Sequence, residues 1–366
     1  GLEKRPKLRF PGFDEPWSIY KAEELFKNVA DKNHPMETVL TIIQGKGTLP
    51  REQAGRNIHY DDASLANYKK VEQGDFIIHL RSFEGGLEMA NEDGIVSPAY
   101  TILRCKKPHS SLFYEAYFHT DEFINHILSK SVEGIRDGRQ ISYEAFKWLG
   151  LPYCDVSEQE RIAQLFCTLS HRIEKQQQMV DALKKYKRGL IKLVFEKVMS
   201  EAHYQLPLSD LCISISSGRT TVNESNGRYP LFGSTGIVGM TNTIEHDGDI
   251  VMVARVGANA GKVNFFSGRC GVTDNTLVIR VKENTIHPKF LAYFLENFDL
   301  HKLIFGSGQP LVTGGQLKKI QSPVIAYKAQ LLITRSLESL DRIIGTQDTY
   351  MEKLIQLKSG LMQRLF

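Results

Sequence analysis

Residues 152–195 read PYCDVSEQERIAQLFCTLSHRIEKQQQMVDALKKYKRGLIKLVF, and residues 323–366 read PVIAYKAQLLITRSLESLDRIIGTQDTYMEKLIQLKSGLMQRLF. The two stretches align without a gap at an offset of 171 residues. Ile162/Ile333, Leu169/Leu340, Ile173/Ile344, Gln176/Gln347, Leu183/Leu354, Lys187/Lys358, Gly189/Gly360, Leu190/Leu361 and Phe195/Phe366 coincide. A repeat of this kind constrains the architecture before any single element does. Two similar halves offer two similar surfaces, which points to a two-part target.

Each stretch carries one apolar seam. In the first it runs Ile162, Phe166, Leu169, Ile173, Gln176, Val180, Leu183, Lys187, Leu190, Val194. In the second it runs Ile333, Leu337, Leu340, Ile344, Gln347, Met351, Leu354, Lys358, Leu361, Leu365. The steps alternate 4 and 3, the a/d pattern of a coiled coil. No proline follows the first residue of either stretch. Roughly 40 helical residues make a rod of about 60 Å, longer than an ordinary globular helix. Such a rod needs a partner along its length. The other copy supplies one, and the pair is expected to form an antiparallel coiled coil. Gln176 and Gln347 hold equivalent seam positions, where a polar residue sets register at a cost in stability. The plainer alternative is one amphipathic helix packed on each domain's own core.

The segments ahead of the helices also match, more loosely. Gly74-Asp75-Phe76-Ile77 parallels Gly248-Asp249-Ile250-Val251, with Arg81 and Arg255 the same distance downstream. Ala116-Tyr117-Phe118 parallels Ala292-Tyr293-Phe294. The loops between these marks differ almost throughout. GDFIIHL, AYTILRC, GDIVMVARV, GKVNFF and NTLVIRV read as short strands. SLFYEAYFHTDEFINHILS and HPKFLAYFLENFDLHKLI read as helices with aromatic core faces. The expected class is α/β: two similar mixed domains, 1–151 and 201–322, separated by long helices at 152–200 and 323–366. One frame with divergent loops suits two specificities on one scaffold.

Composition is that of a globular chain. It has 366 residues, 42% hydrophobic and 24% charged, with a net charge of +4. No run of 18 apolar residues marks a membrane span. The first residues, GLEKRPKLRFPGFDEPW, are basic but lack the apolar core of a signal peptide. Five widely spaced cysteines form no Cys-x-x-Cys and read as reduced thiols, so a cytoplasmic location is expected. Between 157 and 198 stand nine Lys/Arg against five Asp/Glu. A solvated helix face accounts for that excess as readily as a DNA-tracking stripe.

Catalytic signatures are missing. Gly257-Ala258-Asn259-Ala260-Gly261-Lys262-Val263 mimics a phosphate-binding loop but is one residue short and has Val where Ser/Thr would meet magnesium. GxGxxG, HExxH, GxSxG and metal-spaced histidines do not occur, nor do the Asn-Pro-Pro-Tyr and Asp-Pro-Pro-Tyr tetrapeptides of amino-methyltransferases. A binding subunit with neither metal nor cofactor is therefore expected. Four polar, glycine-bearing loops are candidate contact points: 44–48, 138–140, 233–236 and 306–309. Glycine lets backbone approach phosphate, while Arg, Gln and Ser reach phosphates and base edges. The candidate contacts are Lys46, Arg81, Arg139 and Gln140 in the first domain. In the second they are Arg219, Gly233, Ser234, Thr235, Arg255, Lys262 and Gln309. For Arg81 and Arg255 a buried structural ion pair is the competing explanation.

The opening LRFPGFDEPW, the frame YKKVEQGDFII with its downstream GIVSPAY, the later GRYPLFGSTGIVG, and the helix marks SEQERIAQLF and GLIKLVF together resemble the specificity subunit of type I restriction-modification systems. The resemblance covers nearly the whole chain, and the order domain, helix, domain, helix is its most specific part. It implies two target-recognition domains reading the halves of a bipartite sequence in double-stranded DNA. It further implies paired helices that set the spacing, methyltransferase subunits bound on those helices, and restriction subunits joining the larger assembly. The start of the second helix departs from the first: Tyr327-Lys328-Ala329-Gln330 stands where Val156-Ser157-Glu158-Gln159 does. The alternative class is a coiled-coil scaffold carrying two protein- or glycan-binding domains. A fragment of a fused restriction-methylation enzyme is a third.

Overall fold

The structure, a computed structural model, describes residues 3–55, 62–134, 139–221, 227–304 and 310–366. The chain divides into two compact units: Gly1–Gln176 with Tyr350–Phe366, and Gln177–Thr349.

In the first unit the strands that matter are β1 (Phe26–Val29), β2 (Leu40–Ile43), β3 (Gly47–Pro50), β4 (Phe76–Ile78), β5 (Glu88–Met89), β6 (Thr101–Cys105) and β7 (Gln140–Ile141). Two helices accompany them, α1 (Ser82–Gly85) and α2 (Ser111–Phe118). An antiparallel sheet runs in the order β1-β6-β4-β5. Phe76, Ile77 and Ile78 are all buried, so β4 is covered on both faces and reads as a continuous apolar run. On one face Phe76 packs among Phe26, Tyr114 and Phe118. The aromatic stripe of α2 is thus core, as its spacing predicts. β2 and β3 form a separate hairpin.

The second unit repeats this frame. Its sheet consists of β8 (Cys212–Ser217), β11 (Asp249–Ala254), β12 (Val263–Ser267) and β14 (Thr276–Val281), in the order β8-β14-β11-β12. First strand, last strand, middle strand, next strand: the order equals that of the first unit. β9 (Tyr229–Gly233) and β10 (Gly236–Thr241) make the hairpin inserted ahead of β11, and β13 (Gly271–Val272) runs parallel to β9. The strand Val263–Ser267 follows the Gly257–Lys262 loop where a phosphate-binding loop would need a helix.

The long elements are α3 (Val156–Glu201) and α5 (Tyr327–Leu365), with α4 (Pro288–Asn297) between them in sequence. Every predicted seam position on α3 and α5 is buried or half-buried and none is exposed. Within the first unit Phe166 stacks on Phe366 at 5.7 Å, Lys358 Nζ donates to Ser170 Oγ at 2.8 Å, and Arg172 lies over the Tyr350 ring. Within the second, Lys184 pairs with Asp348 and Lys187 with Asp341. As numbers rise along one helix they fall along the other, so the two helices form an antiparallel coiled coil. Gln176 is buried and Gln347 half-buried.

Phe195, in the last turns of α3, and Phe366, just past α5, are each seated in a unit's core. Phe195 meets Phe290 at 5.1 Å and Phe294 at 5.7 Å. Phe366 meets Phe113 at 5.3 Å and Tyr117 at 5.5 Å. Phe113 and Phe290 are therefore equivalent, as are Tyr117 and Phe294. This is one residue out of the alignment of Ala116-Tyr117-Phe118 with Ala292-Tyr293-Phe294, because local identity of an Ala-Tyr-Phe triplet outweighs packing when only letters are compared.

The opening stretch is tied to the start of α3. Arg9 forks onto Glu158 with bonds of 2.9 and 2.7 Å, and Trp17 Nε1 donates to the same carboxylate at 3.0 Å. Glu158 is 1% exposed, so the hydrogen bonds to it hold the Arg9 guanidinium above its ordinary pKa. The second helix has Ala329 at this position.

Candidate nucleic-acid interface

In the first unit the predicted contacts gather around α1. Arg81 is the residue before that helix, and is exposed. The Arg139 guanidinium lies 4.4 Å over the ring of Phe83 in α1, and β7, which begins with exposed Gln140, packs on the same helix. A Cβ at Gly85 would stand 2.0 Å from Gln44 Nε2, so the β2–β3 hairpin presses directly on α1. Lys46 is exposed at that hairpin's tip. Four residues scattered over about 95 positions in sequence are thus brought to one locality.

The hairpin tip is held from beneath. Gly45 and Gly47 donate their amides to the Glu88 carboxylate at 2.6 and 2.8 Å. Gly47 has φ of +77°, and a Cβ there would meet the Met89 carbonyl at 2.5 Å, so only glycine serves. Asn91 Nδ2 donates to the carbonyls of Lys46 and Thr48. His119 Nε2 lies 3.3 Å from Glu88, and its Nδ1 lies 2.8 Å from the Glu115 carbonyl. Burial pushes the Glu88 carboxyl up, but His119 and the two amides outweigh it and the net shift is downward.

In the second unit the segments that carry three candidate residues, Arg219, Gly233 and Arg255, converge on one segment, Thr273–Thr276. Gly218 donates its amide to Thr276, beside exposed Arg219. Thr273 donates to Phe232, next to Gly233. Arg255 donates its amide to Asn275. Ser234 and Thr235 form the two-residue tip between β9 and β10. Exposed Lys262 accepts at its carbonyl from the Ala254 amide, adjacent to Arg255. Gln309 and the rest of the 305–309 loop, like Gly138, lie outside the described residues.

Arg255 is half-buried, and its Nε is buried without a hydrogen-bond partner. The Thr273 and Thr276 hydroxyls are in the same condition. An unsatisfied buried polar group costs about 1–3 kcal/mol, and three of them stand in one neighbourhood. Among the described residues neither Arg81 nor Arg255 has an ion-pair partner. No group of three or more His, Cys, Asp or Glu among the described residues is placed to hold a metal ion. The five cysteines are free, and burial pushes the Cys212 and Cys270 thiols up to about 11.

Residues 205–354 match the family described as Type I restriction modification DNA specificity domain. The specificity subunit of the Escherichia coli type I restriction enzyme EcoprrI is 28% identical over 123 residues, 34% of this chain and 30% of that protein. A putative type I specificity subunit of Methanocaldococcus jannaschii, MjaX, is 33% identical over 98 residues, 25% of this chain and 23% of that one. The segment 205–354 is thus similar to the type I DNA specificity domain. These curated matches span less than a third of the relatives' length. The fold agrees over the whole chain: the S subunit of a type I restriction-modification system from M. genitalium has a TM-score of 0.64 at 14% identity, covering 99% of this chain and 98% of that one. The HsdS subunit of Thermoanaerobacter tengcongensis gives 0.51 at 15% identity with the same coverage.

Thr273, Asn275, Thr276, Glu88 and Glu245 escaped the sequence reading. Thr273-Asp274-Asn275 does follow a strand as a polar, turn-forming run. Nothing in the letters shows that three distant loops are anchored to it.

Proposed function

We propose that the chain is the non-catalytic, sequence-reading subunit of a type I restriction-modification complex. Each unit reads a few base pairs of one half of a split target in double-stranded DNA, and the coiled coil fixes the register between them. The observation that carries this is the repeated frame with two unlike loop sets, each gathering cationic side chains, among them the exposed Lys46, Arg81, Arg219 and Lys262. Cations of this kind neutralise phosphates or fork onto guanine edges. Candidate contacts are Lys46, Arg81, Arg139, Gln140, Arg219, Gly233, Ser234, Thr235, Arg255, Lys262 and Gln309. Gln176 and Gln347 are candidate register residues.

Partners would dock on the helices. Met179, Tyr186 and Leu193 are exposed on α3 at heptad spacing, and Ile343, Tyr350 and Leu357 on α5. At the 171-residue offset Met179 matches Tyr350 and Tyr186 matches Leu357. Two equivalent apolar stripes suit two copies of one partner, the methyltransferase subunit, with restriction subunits joining that assembly. No helix among the described residues is long and apolar enough to cross a membrane, which agrees with a cytoplasmic complex acting on DNA. A protein- or glycan-binding scaffold is not favoured, since the family resemblance lies in the DNA specificity domain itself.

Genome-wide adenine methylation in cells with and without the chain tests this. A split motif present only with the chain is expected. Identical methylation in both would rule the function out.

A further inference from the structure

Two carboxylates, Glu88 buried and Glu245 half-buried, hold through backbone amides the two loops that present Lys46 and Arg219. Glu88 takes the amides on either side of Lys46. Glu245 takes the amides of Arg219 at 3.0 Å and Thr220 at 3.2 Å, together with the Thr220 hydroxyl at 2.7 Å. Each has a histidine beside it, His119 at 3.3 Å and His246 at 3.6 Å. Neither the Lys46 ammonium nor the Arg219 guanidinium pairs with its carboxylate or with any other described residue. We propose that Glu88 and Glu245 are positioning residues for DNA reading, each fixing the backbone of a contact loop while leaving that loop's cation free for an external anion.

Three features support this. A carboxylate with a lysine or arginine nearby in the same loop would ordinarily pair with it, and the cation would then be neutralised before DNA arrived. Here the negative charge is consumed by amides, a hydroxyl and an imidazole. Charge-assisted bonds to two or more amides define a loop's backbone more tightly than one side-chain bond, and a contact group is useful only when its support is fixed. The two carboxylates also occupy different places in the repeat: Glu88 follows β4 and Glu245 precedes β11. The shared arrangement was therefore not copied with the frame; the two halves reach it separately.

This inference rests on the functional reading above, and the test separates the two. The wild-type chain, Glu88→Gln and Glu245→Gln are each assembled with the methyltransferase subunit. Binding is measured to duplexes carrying the split sequence that the wild type methylates, and to duplexes with one half-site scrambled. Glutamine keeps the volume but presents an amide N–H₂ to a backbone N–H. Glu88→Gln is expected to lose roughly tenfold in preference for one half-site while the other is read normally, and Glu245→Gln to do the reverse. A purely structural role would instead weaken both half-sites together. Equal loss at both, or wild-type discrimination in both variants, overturns the proposal. Glu88→Asp and Glu245→Asp retain the carboxylate and are read in the same way if a glutamine variant fails to fold. A wild-type complex with no sequence preference would overturn the functional reading itself.

Discussion

Gln159 and Gln330 do the same work at the same point of the repeat. Gln159 Nε2 donates to the Cys154 carbonyl at 2.9 Å and its Oε1 accepts from the Ser110 amide at 3.0 Å. Gln330 Nε2 donates to the Ile325 carbonyl at 3.0 Å and its Oε1 accepts from the His287 amide at 2.8 Å. Ser110 and His287 are the residues that cap α2 and α4. Each glutamine therefore fastens the first turn of a long helix to the entry of a domain helix, and both are essentially fully buried.

Removing either side chain leaves a buried amide and a buried carbonyl unpaired. Gln159→Ala and Gln330→Ala are each expected to lower stability by about 2–6 kcal/mol, from two orphaned groups at about 1–3 kcal/mol apiece. Denaturant unfolding would measure it. A change within about 0.5 kcal/mol, typical of a surface site, would show the bridges to be incidental.

The repeat also indicates how to fill a gap. In the second unit Tyr293 donates its hydroxyl to Asp341 while Lys187 sits 5.2 Å over its ring. The packing equivalence places Ala116, Ser170 and Lys358 at the matching positions, and these line a cleft of about 650 Å³. Ala116→Tyr should occupy part of it and raise stability by about 0.5–2 kcal/mol. Adding Ser170→Asp, which restores the phenol's acceptor, should raise it further. A lower melting temperature for both variants would mean that the two spaces are not equivalent.

The long helices were legible because a coiled-coil seam repeats the same chemistry over ten positions, and the frame because Gly-Asp followed by apolar residues starts a strand in both halves. The glutamine bridges were half-visible. The changes from Ser157 and Glu158 to Lys328 and Ala329 drew attention away from the one residue of that group, Gln159/Gln330, that carries the shared function. Glu158 itself is local to the first unit, where Arg9 and Trp17 need it. The site was legible as residue types only. Its assembly around α1 and around Thr273–Thr276 depends on contacts between segments far apart in sequence, which no local period encodes.

Acid and base should each loosen the Lys46 loop, through different groups. Burial lowers the His119 imidazole, but the Glu88 carboxylate more than reverses this and the net shift is above 6.5. A raised folded value means that the pair's contribution is complete below about 6.5 and is lost as pH rises through the folded pKa. Glu88, shifted below 4.5, contributes above that value and loses its contribution as pH falls through its folded pKa. Glu115 and His79 also face the pair. The stability advantage of wild type over His119→Gln should be larger at pH 5.5 than at pH 9. Melting curves at both values check this, and an advantage that grows with pH would contradict it.

If the exposed heptad stripes bind a partner, charging them should prevent assembly without unfolding the chain. Tyr186 is 62% and Leu357 50% exposed, so neither supports the core. Tyr186→Glu with Leu357→Glu is expected to leave the melting temperature within a few degrees of wild type. Association with the methyltransferase subunit, followed by sedimentation, should be weakened. Undiminished association would place the partner elsewhere.

Arg255 offers the most direct test of DNA contact. Its Nε is buried with no acceptor, and the neighbouring Thr273 and Thr276 hydroxyls are likewise unpaired. Arg255→Ala therefore removes no internal bond, and the folded protein should be no less stable. Binding is a different matter. A base-reading arginine is worth about 1–3 kcal/mol at one position, and a phosphate contact weakens all sequences and reduces the salt slope by about one. Arg255→Lys keeps the charge but loses the planar fork. If Arg255 reads a base, lysine should retain the salt slope but not the discrimination. If it holds a phosphate, lysine should preserve most of both. Titration of cognate and scrambled duplexes at several salt concentrations separates these outcomes. Unchanged affinity and unchanged slope for Arg255→Ala would remove this residue from the interface.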